Sequence, residues 1–76
     1  MIKKGEYYIW GDIFHLKVIK VTSRKIVFLV VKIEGRDTML NVGKTVSFSK
    51  GTFIEHERFL TKVHPLKAKL LYEDDI

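Results

Sequence analysis

His15, His56 and His64 are the only imidazoles in this 76-residue chain, and Glu55 and Glu57 flank His56. A metal or proton-transfer centre built on them would need ligands that share a face, such as two histidines an i, i+4 step apart on a helix. No pair has that spacing, and the chain contains no cysteine. It therefore has no thiolate for zinc, no thiol nucleophile and no disulfide framework. Ser23, Ser47 and Ser49 lack a nucleophile-elbow motif, while Asp12 and Asp37 fall in turn sequences, where such side chains bond their own backbone. "VGKT" (Val42 to Thr45) shares its last residues with a phosphate-binding loop, but that motif needs a glycine where this chain has Thr38 and a helix where it has "VSFS". The expectation is a protein that is not an enzyme and holds no metal and no cofactor.

What remains chemically usable is cationic charge and aromatic surface. The formal charge is +5, unevenly spread: all 14 Lys and Arg precede residue 73, whereas Glu73, Asp74 and Asp75 take three of the nine acids. The body, residues 1–72, thus carries 14 cations against six acids and attracts polyanions without regard to sequence. Lysines on strand edges also discourage edge-to-edge pairing, so charge of this kind serves solubility as well. The segment "GEYYIWGDIFHLKVIKV" (Gly5 to Val21) adds Tyr7, Tyr8, Trp10 and Phe14. Rings of this type stack on bases while neighbouring cations meet phosphates. The residues in reach of such a task are Lys3, Lys4, Tyr7, Lys17, Lys20, Arg24 and Lys25, with Trp10 as a second ring. Lysine outnumbers arginine, which favours attraction to phosphate over reading of base edges.

The elements that must position these residues are mostly strands. "EYYIW", the turn signal Gly11-Asp12 and "IFHLKVIKVT" predict a hairpin. Phe14, Leu16 and Val18 share one face of its second strand while Ile19 and Val21 take the other, which predicts a bulge or bend at Val18-Ile19. "IVFLVVKI" (Ile26 to Ile33), apolar at nearly every position, reads as a central strand covered on both faces. "TMLNV" (Thr38 to Val42) and "KTVSFS" (Lys44 to Ser49) continue the alternation around Gly43.

"TFIE" (Thr52 to Glu55) fits a capping box and predicts a helix over about 53–63, with Phe59 and Leu60 on its apolar face and Pro65 as its stop. "LKAKLLY" (Leu66 to Tyr72) alternates like a last strand, although its composition also suits a helix. The fold class expected is mainly β: a small SH3-like or OB-like barrel of about five strands, with the helix plugging one opening. Residues 1–72 form one domain in this reading, and 73–76 an acidic C-terminal tail. A barrel this small needs rings inside it, and alternation puts Tyr8 with Trp10 on one face and Tyr7 with Ile9 on the other, so only one pair is expected to point inward. Trp10 is expected to be mostly buried at one end.

The longest apolar run, Ile26 to Val31, is too short to span a bilayer, and the expected location is cytoplasmic, with no membrane partner. "KKGEYY" leading into the first strand and "SFSKGTF" leading into a short helix resemble the order seen in small SH3-like proteins of bacterial and phage genomes. That resemblance implies an accessory interaction protein, such as an inhibitor of a host enzyme. Two functions are thus expected. One is weak, largely sequence-independent nucleic-acid binding through a lysine-rich face with exposed aromatics. The other is a protein-interaction module, or homodimer, acting through a strand edge or the Phe59-Leu60 patch.

Overall fold

Gly11 and Asp12 both adopt positive φ, 62° and 59°, and the Ile13 N–H closes on the Trp10 carbonyl at 3.2 Å. This is a tight turn with two left-handed central residues, and with Ile13 it forms the three-residue connection from strand β1 (Tyr7–Trp10) to β2 (Phe14–Val21), where Trp10 pairs with Phe14. The computed structural model describes residues 2–35 and 41–73. It continues with β3 (Lys25–Ile33), β4 (Thr45–Ser49), helix α1 (Lys50–His56), a 3-10 turn (Glu57–Phe59), β5 (Leu60–Lys62) and helix α2 (Pro65–Ala68), which runs into a π-helical turn (Lys69–Glu73). The five strands make one antiparallel sheet in the order β4-β3-β2-β1-β5.

That sheet is open. The architecture is mainly β with five strands, as expected, but β4 and β5 are opposite edges, so the strands do not close into a barrel. The register shifts between Val18 and Lys20, where the switch of the apolar side predicts it, and again between His15 and Leu16. The strand predicted over Thr38 to Val42 lies largely outside the described residues. Asn41 to Lys44 are not strand; Gly43 has φ 92° and donates to the Val30 carbonyl at 2.8 Å.

Both faces of the sheet are covered. On one, Tyr8, Phe14, Leu16, Val18, Ile26, Phe28 and Val30 pack with Phe53 of α1. Leu16, Val18, Phe28 and Val30 are at most 1% exposed, and burial of side chains this size contributes about 1.5–3 kcal/mol each. On the other, Tyr7 packs with Val63 and Ala68, joined by Ile9, Val31 and Tyr72. The expectation that only one of the two pairs, Tyr8 with Trp10 or Tyr7 with Ile9, could face inward is therefore overturned. The C-terminal segment supplies the second cover. Trp10 is mostly buried at one end of the sheet, as expected, packing on the main core with its ring 5.8 Å from that of Phe14 and 5.5 Å from that of Phe48.

The helical boundaries move for identifiable reasons. Ser49, extended at φ −67° and ψ 149°, caps α1 by accepting from the Thr52 N–H at 3.2 Å, so the helix begins before the capping box predicted at Thr52 and Glu55. It ends at His56 because the chain must straighten to pair Leu60 with Trp10, and β5 thus lies inside the stretch 53–63 predicted as helix. The last strand predicted over 66–72 is helical instead. Pro65 fills the first position of α2, where its missing N–H costs nothing, and the His64 ring caps it by accepting from the Leu66 N–H at 3.2 Å.

Candidate nucleic-acid interface

The turn joining β2 to β3 is built by Thr22, whose hydroxyl accepts from the N–H groups of Arg24 (3.2 Å) and Lys25 (3.0 Å) while its own N–H donates to the Lys25 carbonyl (2.9 Å). This holds Arg24 and Lys25 outward at the tip. The Lys50 N–H donates to the Arg24 carbonyl at 2.9 Å and ties the start of α1 to the same tip. Lys20 stands opposite Val27 just below it. The N-terminal segment approaches them because the Gly5 N–H donates to the Val18 carbonyl at 2.8 Å, which sets Lys3 and Lys4 beside β2 about 15 Å from the tip along the strand.

Lys3, Lys4, Lys20, Arg24, Lys25 and Lys50 are all exposed, and none makes an ion pair among the described residues. Lys50 is a member that sequence reasoning missed; its place after Ser49 was legible only once β4 was known to end beside the tip. Glu6 adjoins this end but is paired, and Asp12 and Glu34 lie away from it. Glu6 Oε2 is 2.7 Å from Lys62 Nζ, and Glu6 Oε1 accepts from the Lys3 N–H at 2.7 Å and the Tyr8 hydroxyl at 3.0 Å. The Lys62 ammonium, then the Lys3 N–H, hold its carboxyl down at about 2. Burial, and next the bond to Glu6, push the Tyr8 hydroxyl up to about 12. Asp12 and Glu34 sit at the opposite end of the sheet, where the Glu34 N–H donates to the Ile13 carbonyl at 2.7 Å and its carboxylate lies 3.4 Å from Lys32.

The rings do not gather with these cations. Tyr7, expected as an exposed stacking ring, is 5% exposed: Tyr72 stacks on it with centroids 4.6 Å apart and planes 16° from parallel. Lys17 is half-buried, with its Nζ 5.6 Å from the centre of the Tyr7 ring. Trp10 and Phe59 are at the far end, where the Gly11 N–H meets the Phe59 carbonyl at 3.1 Å, about 20 Å from the β2–β3 tip by strand rise. Phe59 is half-exposed under the Arg58 guanidinium, whose Cζ is 4.9 Å from the ring centre. Leu60 begins β5 and packs on the main core, so the two do not form one helix face.

A second polar cluster, which spacing could not reveal, surrounds His15. Its ring is buried, and Nδ1 is hydrogen-bonded to the Tyr72 hydroxyl. Nε2 is 3.3 Å from Glu34 Oε1 but not aligned for a hydrogen bond. Burial is the main influence and depresses its pKa; Glu34 opposes this and Lys32 reinforces it. Burial also raises that of Tyr72. Among the described residues no group of three or more His, Asp or Glu side chains gathers as a metal site, and no helix is long and apolar enough to cross a membrane.

No family model matches the chain, and no curated protein or solved structure is similar enough to match it.

Proposed function

We propose that this protein is a non-catalytic binding module that engages the backbone of nucleic acids through the basic end formed by Lys3, Lys4, Lys20, Arg24, Lys25 and Lys50. The observation that carries the reading is that backbone hydrogen bonds bring six exposed cations to one end of the sheet, while Glu6 is paired with Lys62 and Asp12 and Glu34 lie at the other end. Cations without partners release counterions when they meet phosphates, and that release supplies affinity without sequence preference. The separation of Trp10 and Phe59 from this end keeps rings out of the primary contact.

Fluorescence anisotropy with a labelled duplex at low and at physiological salt tests it. Four to six phosphate contacts predict a slope of log K against log salt of about −4 to −5. Arg24→Glu together with Lys25→Glu should abolish most binding, whereas Lys67→Glu with Lys69→Glu, which lie on α2 and the following turn, should reduce it only slightly. A wild-type protein that binds no duplex at low salt ends the proposal.

A protein-interaction module is the second reading, favoured by Leu66, Leu70 and Leu71, which are 70%, 69% and 44% exposed along one segment. Light scattering that shows a monomer, together with a pull-down that recovers nothing, would remove it.

A further inference from the structure

We infer that the Tyr7 ring is a stacking site for an unpaired base, occluded in this structure by the protein's own Tyr72. This rests on the nucleic-acid reading above and deepens it, adding a single-strand site to a backbone site. The two tyrosine rings lie face to face, 4.6 Å apart and 16° from parallel, which is the arrangement a base adopts on an aromatic platform. Lys17 Nζ, 5.6 Å from the Tyr7 ring centre, supplies a cation where the phosphate of a stacked nucleotide would run. His15 Nδ1, now bonded to the Tyr72 hydroxyl, would meet the polar edge of a base that took the place of that ring.

The cover is attached in a way that permits its removal. Among the described residues, the last backbone hydrogen bond from the C-terminal segment to the sheet is from the Val63 N–H to the Tyr7 carbonyl, at 2.9 Å. Beyond it, Ala68 and Tyr72 are the side chains packed on the second face, while Leu66, Leu70 and Leu71 point away from it. The packing beneath the segment is also incomplete. A cleft of about 120 Å3 separates Gly5, Glu6 and Tyr7 from Val63, Pro65 and Ala68. Displacing Tyr72 would leave Tyr7, Lys17 and His15 on one open surface, continuous along β2 with Lys20 and the basic tip.

The experiment compares a labelled oligodeoxythymidylate with a labelled duplex. Tyr72→Ala should bind the single strand about tenfold tighter than wild type does, in line with one base–aromatic stack, and the duplex within about twofold of wild type. Adding Tyr7→Ala should erase the gain. Ala68→Asp, which disfavours docking of the segment while keeping both tyrosines, should reproduce it. In the unmodified protein, saturating oligodeoxythymidylate should speed amide hydrogen exchange over 66–73 and leave β2 and β3 protected. No gain in single-strand affinity, a gain that survives Tyr7→Ala, or unchanged exchange over 66–73 overturns the inference. Duplex binding by wild type reads the basic end alone, so failure there strikes the backbone site, and failure of the Tyr7-dependent gain strikes only the stacking site.

Discussion

His15 links stability to pH near neutrality. Its pKa in the folded protein lies below the ordinary 6.5, chiefly because the ring is buried, with Lys32 reinforcing and the half-exposed Glu34 carboxylate opposing the effect. The folded state therefore resists protonation while the unfolded chain accepts it. Stability is full above about 6.5 and falls as the pH drops from there toward the folded value. Thermal melts between pH 8 and 5 should show that decline in wild type and a flatter profile in His15→Gln. Glu6 behaves with the depressed carboxyl's usual sign: held at about 2 against 4.5, it stabilises above pH 4.5, and the contribution disappears as the pH falls through 2. Because Lys62 is half-exposed, Glu6→Gln should cost only about 1 kcal/mol at pH 7 in urea melts, and progressively less as the pH falls toward 2. The acid side of this pairing was not legible in the sequence, since Glu6 and Lys62 are brought together only by β1 pairing with β5.

At the level of elements, Ser49 is the decisive cap. Its side chain bonds both the Thr52 N–H and the Thr52 hydroxyl, so Ser49→Ala should destabilise by about 1 kcal/mol, read as a shift in urea midpoint with unchanged slope. The first hairpin, the bulge after Val18 and the strand over Ile26 to Ile33 were all legible, because turn chemistry and a switch of apolar side are local signals. The C-terminal segment was misread for an equally physical reason. Leu66, Ala68, Leu70 and Tyr72 alternate in sequence, yet the residues that reach the sheet are Ala68 and Tyr72, four apart, as on a helix. His64-Pro65 could have shown this, since a proline marks a helix start as well as a stop. With the segment placed as a strand, the sequence offered no cover for Tyr7, and the ring was expected in solvent.

Across the whole molecule, the same segment and α1 explain why the sheet stays open. Closing a barrel would need β5 to meet β4, but α1 and the 3-10 turn carry the chain from the end of β4 across the main core to the opposite edge. The basic end and the Tyr72-covered face follow from that path, and only the charge imbalance behind them was visible beforehand. The strand order also has a temporal consequence. Strands β1 to β4 each pair with their neighbours in the chain, whereas β5 joins β1 across about fifty residues of intervening chain. Closing a loop that long costs chain entropy before any contact rewards it, so the meander should form first and β5 dock late. Thr61→Gly should therefore hasten unfolding while barely slowing refolding, and Val30→Ala should slow refolding, in stopped-flow chevron measurements. The covered Tyr7 face would then be the last part of the protein to assemble and the first to come apart.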